Sequence, residues 1–282
     1  MSRISRNLTP AILVIFTAVF ATLAQSSDPS STKSDISNEN DSAPQAVTTT
    51  RSWTGVYGGG YIGGNFSMAS ADTSTIFASS GYFASSSVPA INNTGTQRLS
   101  PNGVNAGATL GYNYQTGKFV IGAETDFGGM TGSETTSRTT TYPCCSPSSF
   151  TVTQSVKTSW IYTARPRAGV AFGNTLLYGT GGLAVTNLDY NASFSDNFAN
   201  ASESGRIKET RAGWTAGGGV EYKFADRWSV KGEYLFVDFR RATITSNNLT
   251  TAPPTTSWPQ NTFTHSIYLK DHLVRFGINY RF

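Results

Sequence analysis

The chain has 282 residues, 38% hydrophobic and only 13% charged, with 28 glycines, two histidines, two cysteines and a formal net charge of +4. So small a charge gives no footing for nucleic-acid binding, and two cysteines alone leave a metal site incomplete. Beyond the N-terminus no apolar stretch approaches the roughly 20 residues that a spanning helix needs.

Residues 1–24 read as a secretory signal peptide. Arg3 and Arg6 make a positive start, Ala11 to Phe20 is an apolar run about half the length of a spanning helix, and Thr22-Leu23-Ala24 puts small residues at the cleavage position. Cleavage after Ala24 removes two basic residues, leaving 19 Lys+Arg against 17 Asp+Glu, or +2. Residues 25–52 are mostly Ser, Thr, Asn, Asp and Pro and hold almost nothing to bury, which predicts a disordered linker.

From residue 53 the apolar residues recur with period two. Gly-rich 54–66 comes first, with unclear parity. Residues 102–114 set Val104, Ala106, Ala108, Leu110, Tyr112 and Tyr114 against Asn105, Gly107 and Thr109. Residues 119–127 set Phe119, Ile121 and Phe127 against Glu124 and Asp126, and 160–172 set Tyr162, Ala164, Ala168 and Val170 against Arg165 and Arg167. After Gly-rich 176–186, residues 212–224 oppose Trp214, Val220 and Tyr222 to Glu221, and 228–236 oppose Val230 and Tyr234 to Lys231 and Glu233. The last eleven residues place Val274, Phe276, Ile278, Tyr280 and Phe282 opposite Arg275 and Asn279.

Eight strands follow, joined by tight turns at 115–117, 173–175 and 225–227 and by long connections at 67–101, 128–155, 187–208 and 237–271. Strict alternation of short and long connections is the mark of a membrane barrel with its short turns in the periplasm. That places both chain ends, and the linker, on the periplasmic side. Trp53, Phe119, Phe172, Tyr222, Phe224, Trp228 and Phe282 are expected in one aromatic girdle, and Phe66, Phe127, Trp160, Trp214 and Phe236 in the other. An outward Lys or Arg at mid-membrane would cost about 2–4 kcal/mol, and the outward mid-strand positions carry none. The fold expected for 53–282 is therefore all-β: an eight-stranded antiparallel up-and-down transmembrane β-barrel. Pro166 lacks a ladder N–H and predicts a bulge in the fourth strand.

The segments SWTGVYGGGYIGGN, YTARPRAGVAFGNTLLYGTGGLAV, AGWTAGGGVEYKFADRWSVKGEYLFVDF and HLVRFGINYRF resemble the small outer-membrane β-barrel family of alphaproteobacteria, which includes RopB-type and hemin-binding outer-membrane proteins. The architecture is also similar to the OmpA-like transmembrane domain. The resemblance covers about 52–282 and leaves the four loops aside. It implies an outer-membrane location, and it makes Phe282 part of the signal read by the barrel-assembly machinery during insertion. Outer-membrane lipid and lipopolysaccharide are the other partners expected. Family members differ in activity, spanning envelope integrity, antigenicity, porin-like behaviour and hemin binding.

No enzyme is expected, since neither a nucleophile elbow nor metal spacing accompanies the two histidines, and no cofactor is called for. His265 falls in the fourth long loop and His272 faces outward at the start of the last strand; loop histidines and tyrosines leave hemin as an alternative ligand. Cys144-Cys145 at a loop tip can form a disulfide in an oxidising compartment, pair between molecules, or stay without function. The inward charges are four acids (Glu124, Asp126, Glu221, Glu233) and four bases (Arg165, Arg167, Lys231, Arg275) at similar heights, with Glu221, Lys231, Glu233 and Arg275 on neighbouring strands and Glu124 and Asp126 expected close to Arg165 and Arg167 on the adjacent one. Mixed charge in a narrow lumen favours a salt-bridged plug over a selective ring of one sign. The expected role is structural, in envelope integrity with exposed loops; a small porin passing ions or solutes and a surface hemin binder are the alternatives. N-terminal sequencing of outer-membrane material should find Gln25 first, and an intact Met1 would defeat the secretion argument.

Overall fold

The computed structural model describes residues 52–282; the expected signal peptide, and the expected linker apart from Ser52, lie outside the described residues. Threonine, valine and aromatic side chains favour extended backbone, and the described chain is nearly all strand. In chain order the elements are β1 (Gly55–Thr75), α1 (Ser87–Gly95), β2 (Thr96–Leu99), β3 (Gly103–Thr116), β4 (Phe119–Thr141), β5 (Ser149–Phe172) and β6 (Thr175–Asp196). They continue with β7 (Ser202–Lys223), β8 (Trp228–Ser246), β9 (Thr250–Thr251), β10 (Thr256–Ser257) and β11 (Phe263–Arg281).

The eight long strands pair antiparallel, each with the next in the chain. β11 then pairs with β1, which closes the sheet into a ring. Gly117 and Gly173 sit at φ +57° and +58° in two of the tight turns. Two-residue hairpin turns need that left-handed conformation, and glycine adopts it without a Cβ clash.

The strands reach much further than expected. β5 has 24 residues, against the roughly 9–11 that cross a bilayer. Most of the expected long connections are strand, and what connects the strands on that side is 76–102 (with α1 and β2), 142–148, 197–201 and 247–262. The expectation failed because it followed outward apolar residues, which stop at the end of the exposed apolar band. Above it the outward positions of β4 are Thr131, Ser133, Thr135 and Ser137, and those of β6 are Asn187, Asp189 and Asn191. The apolar residues there point inward instead: Val152 and Val156 on β5, Leu188 and Phe194 on β6, Ile267 and Leu269 on β11. The lower ring is lined with polar groups and faced with apolar ones, and the upper ring is the reverse.

Register shifts mark this passage at Gly129/Gly132, Lys157/Ile161 and Tyr268/Lys270. On β5 the shift moves the buried set from odd residues (Ile161, Thr163, Arg165, Arg167) to even ones (Val156, Gln154, Val152, Phe150). Pro166 makes no bulge: Ala164↔Leu183 and Arg167↔Thr180 keep one register on either side of it. Its carbonyl accepts the Thr180 hydroxyl at 2.8 Å. Trp53 does not join a girdle but is buried at the ring end that carries the tight turns, beside Val120, Ala171 and Leu176, with the Lys223 ammonium 3.9 Å from its ring centre.

β7 and β8 pair only along Trp214–Lys223 and then part. Arg211 covers part of that edge by donating to the carbonyls of Phe239 and Arg241 at 3.4 and 2.7 Å. Higher up, the Asn248 amide receives the Ser204 N–H and donates to the Ser204 carbonyl. At the far end α1 lies over the ring, its buried Ile91 packed with Phe83, Phe150, Phe194 and Phe263.

Backbone paired in strands resists proteolysis, whereas exposed loop tips are cut. Proteinase K added to whole cells should therefore cut first within 76–86 and 252–255 and spare 134–141, 149–158 and 187–196. Early cuts in the last three stretches would mean that the strands end at the membrane.

Candidate functional site

Strand period places alternate residues on one face, and in the lower ring this gathers eight charged side chains into the lumen. Glu124 and Asp126 come from β4, Arg165 and Arg167 from β5, Glu221 from β7, Lys231 and Glu233 from β8 and Arg275 from β11. Each is at most 4% exposed. Buried charge is tolerable only when paired and hydrogen-bonded.

Arg165 is the hub. Its Nη2 lies 2.9 Å from Glu124 Oε1 and 2.8 Å from Asp126 Oδ2, and its Nη1 lies 3.2 Å from Glu233 Oε1. Arg167 meets Glu221 at 2.8 Å and Glu124 at 3.3 Å. Lys231 meets Glu124 and Arg275 meets Asp126, each at 2.8 Å. Neighbouring strands alone would couple Arg275 to Glu233 and Lys231 to Glu221, which are register partners. Both bases reach across the lumen instead, because the ring is narrow enough for a long side chain to find an acid on the far wall.

Three tyrosines that the sequence did not single out complete the belt. Tyr57 donates to Glu124 Oε2 and accepts from Arg167, both at 2.7 Å. Tyr178 donates to Glu233 at 3.0 Å, with the Arg167 guanidinium 3.9 Å from its ring centre. Tyr61 lies under Arg275 at 4.3 Å. Thr163 donates to Asp126 at 2.6 Å, while Ser229 and Asn279 donate to Glu221. The signal for the tyrosines was present but is visible only with the register in hand, since each faces a glycine: Tyr57↔Gly111, Tyr61↔Gly107 and Tyr178↔Gly219. A Cβ at Gly111 would overlap the Tyr57 ring.

The other singled-out residues lie apart. His265 is not in a loop but on β11, fully buried, with Nδ1 3.0 Å from Thr73 Oγ1 and Nε2 3.1 Å from Glu203 Oε1. Its neighbours on the sequence are strand because Phe263, Ile267 and Leu269 alternate inward with it. His272 is half-buried on the outer face, 2.7 Å from the Tyr234 hydroxyl. Two histidines on opposite faces of one wall do not frame a heme iron. Cys144 and Cys145 are joined to each other by a disulfide. Phe282 is 76% exposed and packs edge-on against Tyr280.

The family model described as outer membrane protein beta-barrel domain matches residues 42–282. The chain is 31% identical to the 31 kDa outer-membrane immunogenic protein of Brucella melitensis biotype 1, over 96% of this chain and 98% of that one. It is 30% identical to a 22 kDa outer membrane protein of Rhizobium leguminosarum bv. viciae, over 46% of this chain and 50% of that one. Among solved structures it is similar to Ail, the attachment invasion locus protein of Yersinia pestis, at 12% identity, with 80% of this chain and 99% of that one covered and a TM-score of 0.30.

Removing one member of a buried pair strands its partner, at a cost of about 3–5 kcal/mol. Arg165→Ala, which abandons three acids, should lower the temperature at which the folded band is lost on unboiled gels more than Lys231→Ala, which abandons one. Asp126→Ala combined with Arg275→Ala should cost less than the sum of the single changes, because the second relieves what the first exposed. Equal losses for Arg165→Ala and Lys231→Ala, or strict additivity in the pair, would contradict the wiring described.

Proposed function

This chain belongs to the outer-membrane β-barrel protein family and resides in the outer membrane, and from that premise we propose that it is an eight-stranded transmembrane barrel with a closed lumen, serving envelope structure and presenting its upper end at the cell surface. The observation that carries the reading is the filling of the ring at successive heights. Trp53, Val120, Ala171 and Leu176 occupy the periplasmic mouth, and the charge belt lies above them. Met130, Ile161, Leu188, Leu235 and Leu273 fill the next level, and Phe83, Phe150, Phe194 and Phe263 pack under α1 at the top. An eight-stranded ring is narrow enough to be filled in this way.

The outward face supports a lipid setting. Ile62, Leu110, Ile121, Leu177 and Phe276 are all exposed on it, and such a continuous apolar band needs a hydrocarbon solvent. Just above it Lys157, Asp189 and Lys208 form one row across three strands, at the height where lipopolysaccharide headgroups would stand. Surface display of the upper strands and loops accords with a relative that is named for being immunogenic. Phe282, outward at the end of the last strand, suits recognition by the insertion machinery.

Planar-bilayer recording of the refolded chain should show no steady conductance, and liposomes carrying it should not swell in small sugars. Arg165→Ala should stay closed as well, since the apolar levels above the belt remain. Steady channels in the unaltered protein would put the small-porin reading in its place.

A further inference from the structure

At the extracellular end, beside the aromatic cap, lies a cavity of about 170 Å³. Tyr82, Tyr142 and Phe198 line it together with Ser87 and the Cys144–Cys145 disulfide. The three rings form a tilted set around Tyr82 and Tyr142, with Phe198 6.3 and 6.5 Å away, centre to centre. Phe198 is 57% exposed, although it stands far from any hydrocarbon, in the turn between β6 and β7.

The site is built rather than accidental. Both phenols donate to one atom, Asp196 Oδ2, at 2.7 Å each. The other carboxylate oxygen takes the N–H groups of Ala199 and Ala201, which fixes the turn that carries Phe198. Burial and the Asp196 carboxylate hold both phenols well above their ordinary range, so neither gives up that proton. With their protons committed, the phenol oxygens keep only acceptor lone pairs. Ser87 is buried, and its hydroxyl lies 3.4 Å from Cys144 Sγ. The disulfide supplies an apolar, polarisable wall where two thiols would have offered mobile side chains.

Apolar walls set at an angle, with an acceptor between them, suit a ligand that has C–H faces and hydroxyl donors at its edge. A purely hydrocarbon ligand would leave the Tyr142 oxygen without a donor, whereas the Tyr82 oxygen already meets the Ala199 N–H, and a flat polar ligand would leave the rings and the disulfide without contact. We propose that this cavity is a saccharide subsite that holds one hexopyranose ring, stacked against Phe198 and the Cys144–Cys145 disulfide and hydrogen-bonded to the Tyr142 phenol oxygen. The ring can come from the cell's own lipopolysaccharide or from a foreign glycan, since the chemistry is shared.

Saturation-transfer NMR on the full refolded chain, with glucose, galactose, mannose and N-acetylglucosamine in turn, tests this. At least one sugar should receive saturation at its ring C–H protons. Phe198→Ala, at an exposed position, should weaken that transfer roughly two- to tenfold, the range expected for one aromatic contact. Cys144→Ser/Cys145→Ser should weaken it too, and both variants should keep the heat-modifiable gel band. Competition by oligosaccharide released from lipopolysaccharide would identify the cell's own envelope as the source, and competition by mammalian N-glycans alone would identify a foreign surface. Transfer to none of the sugars, transfer unchanged in both variants, or binding of indole that no sugar displaces would each overturn the proposal.

Discussion

The first and last long strands pair without a break from Tyr57↔Arg281 to Thr75↔Phe263, and that closure is what every other feature presupposes. In hydrocarbon no water is present to satisfy an unpaired N–H or C=O, so a spanning sheet must have no free edge. Closing eight strands also fixes the width of the ring. At that width a guanidinium on β5 can touch acids on β4 and β8 at once, and Arg275 can reach Asp126 on the far wall. The charge belt is thus a consequence of closure: a wider ring would have left those ends in water, and an open sheet would have had no lumen to hold them.

The same strands serve two solvents. Through the membrane they show apolar side chains outward and polar ones inward; above it they show Thr, Ser, Asn and Lys to water and bury Val, Leu, Ile and Phe. A polar-lined lower ring and an apolar-lined upper ring are therefore stacked on the same long strands. The register shifts near Gly129, Lys157 and Tyr268 sit where the two meet. β5 shows why a shift is useful there, since it lets Arg165 and Val156 both face inward although one is odd and the other even. β6 needs none, because Tyr178 and Leu188 already share parity.

What the sequence made legible follows from which signal each part carries. The membrane segments of β3, β4 and β8 announce themselves because outward apolar residues alternate with glycine, asparagine and charge. The upper segments were hidden, since a stretch such as Glu134–Thr141 alternates polar with polar and resembles a loop. Only the ladder shows it as strand, with hydroxyl pairs Ser137–Thr153 and Thr139–Thr151 at 2.8 Å across it. The eight lumen charges could be named from parity alone. The pairing of Glu124 and Asp126 with Arg165 and Arg167 on the adjacent strand was legible too; the partners of Lys231 and Arg275 were not, because pairing across a lumen depends on side-chain reach rather than strand adjacency. His265 was misplaced for the same reason as the loops: its inward neighbours Phe263 and Ile267 carry the opposite polarity from the membrane pattern.

The belt and its tyrosines also specify the fold against its nearest rivals. A strand that slips by one residue turns every side chain to the other face. On β5 that would put Arg165 and Arg167 into lipid, at about 2–4 kcal/mol each near the midplane, and would leave Glu124 and Asp126 without bases. A slip by two residues keeps the faces and is harder to prevent. Between β4 and β5 it could still bring Arg167 opposite Glu124 and Arg165 opposite Asp126, so charge alone does not exclude it. The tyrosine–glycine pairs do so for the pairing of β1 with β3. Tyr57 and Tyr61 on β1 lie against Gly111 and Gly107 on β3, four residues apart on each strand. Sliding by two would set Tyr57 against Thr109 or Asn113 and Tyr61 against Asn105 or Thr109, whose Cβ atoms would stand where the rings lie. Charge fixes which face looks inward, and the small residues opposite the lumen tyrosines fix how far along the strands meet.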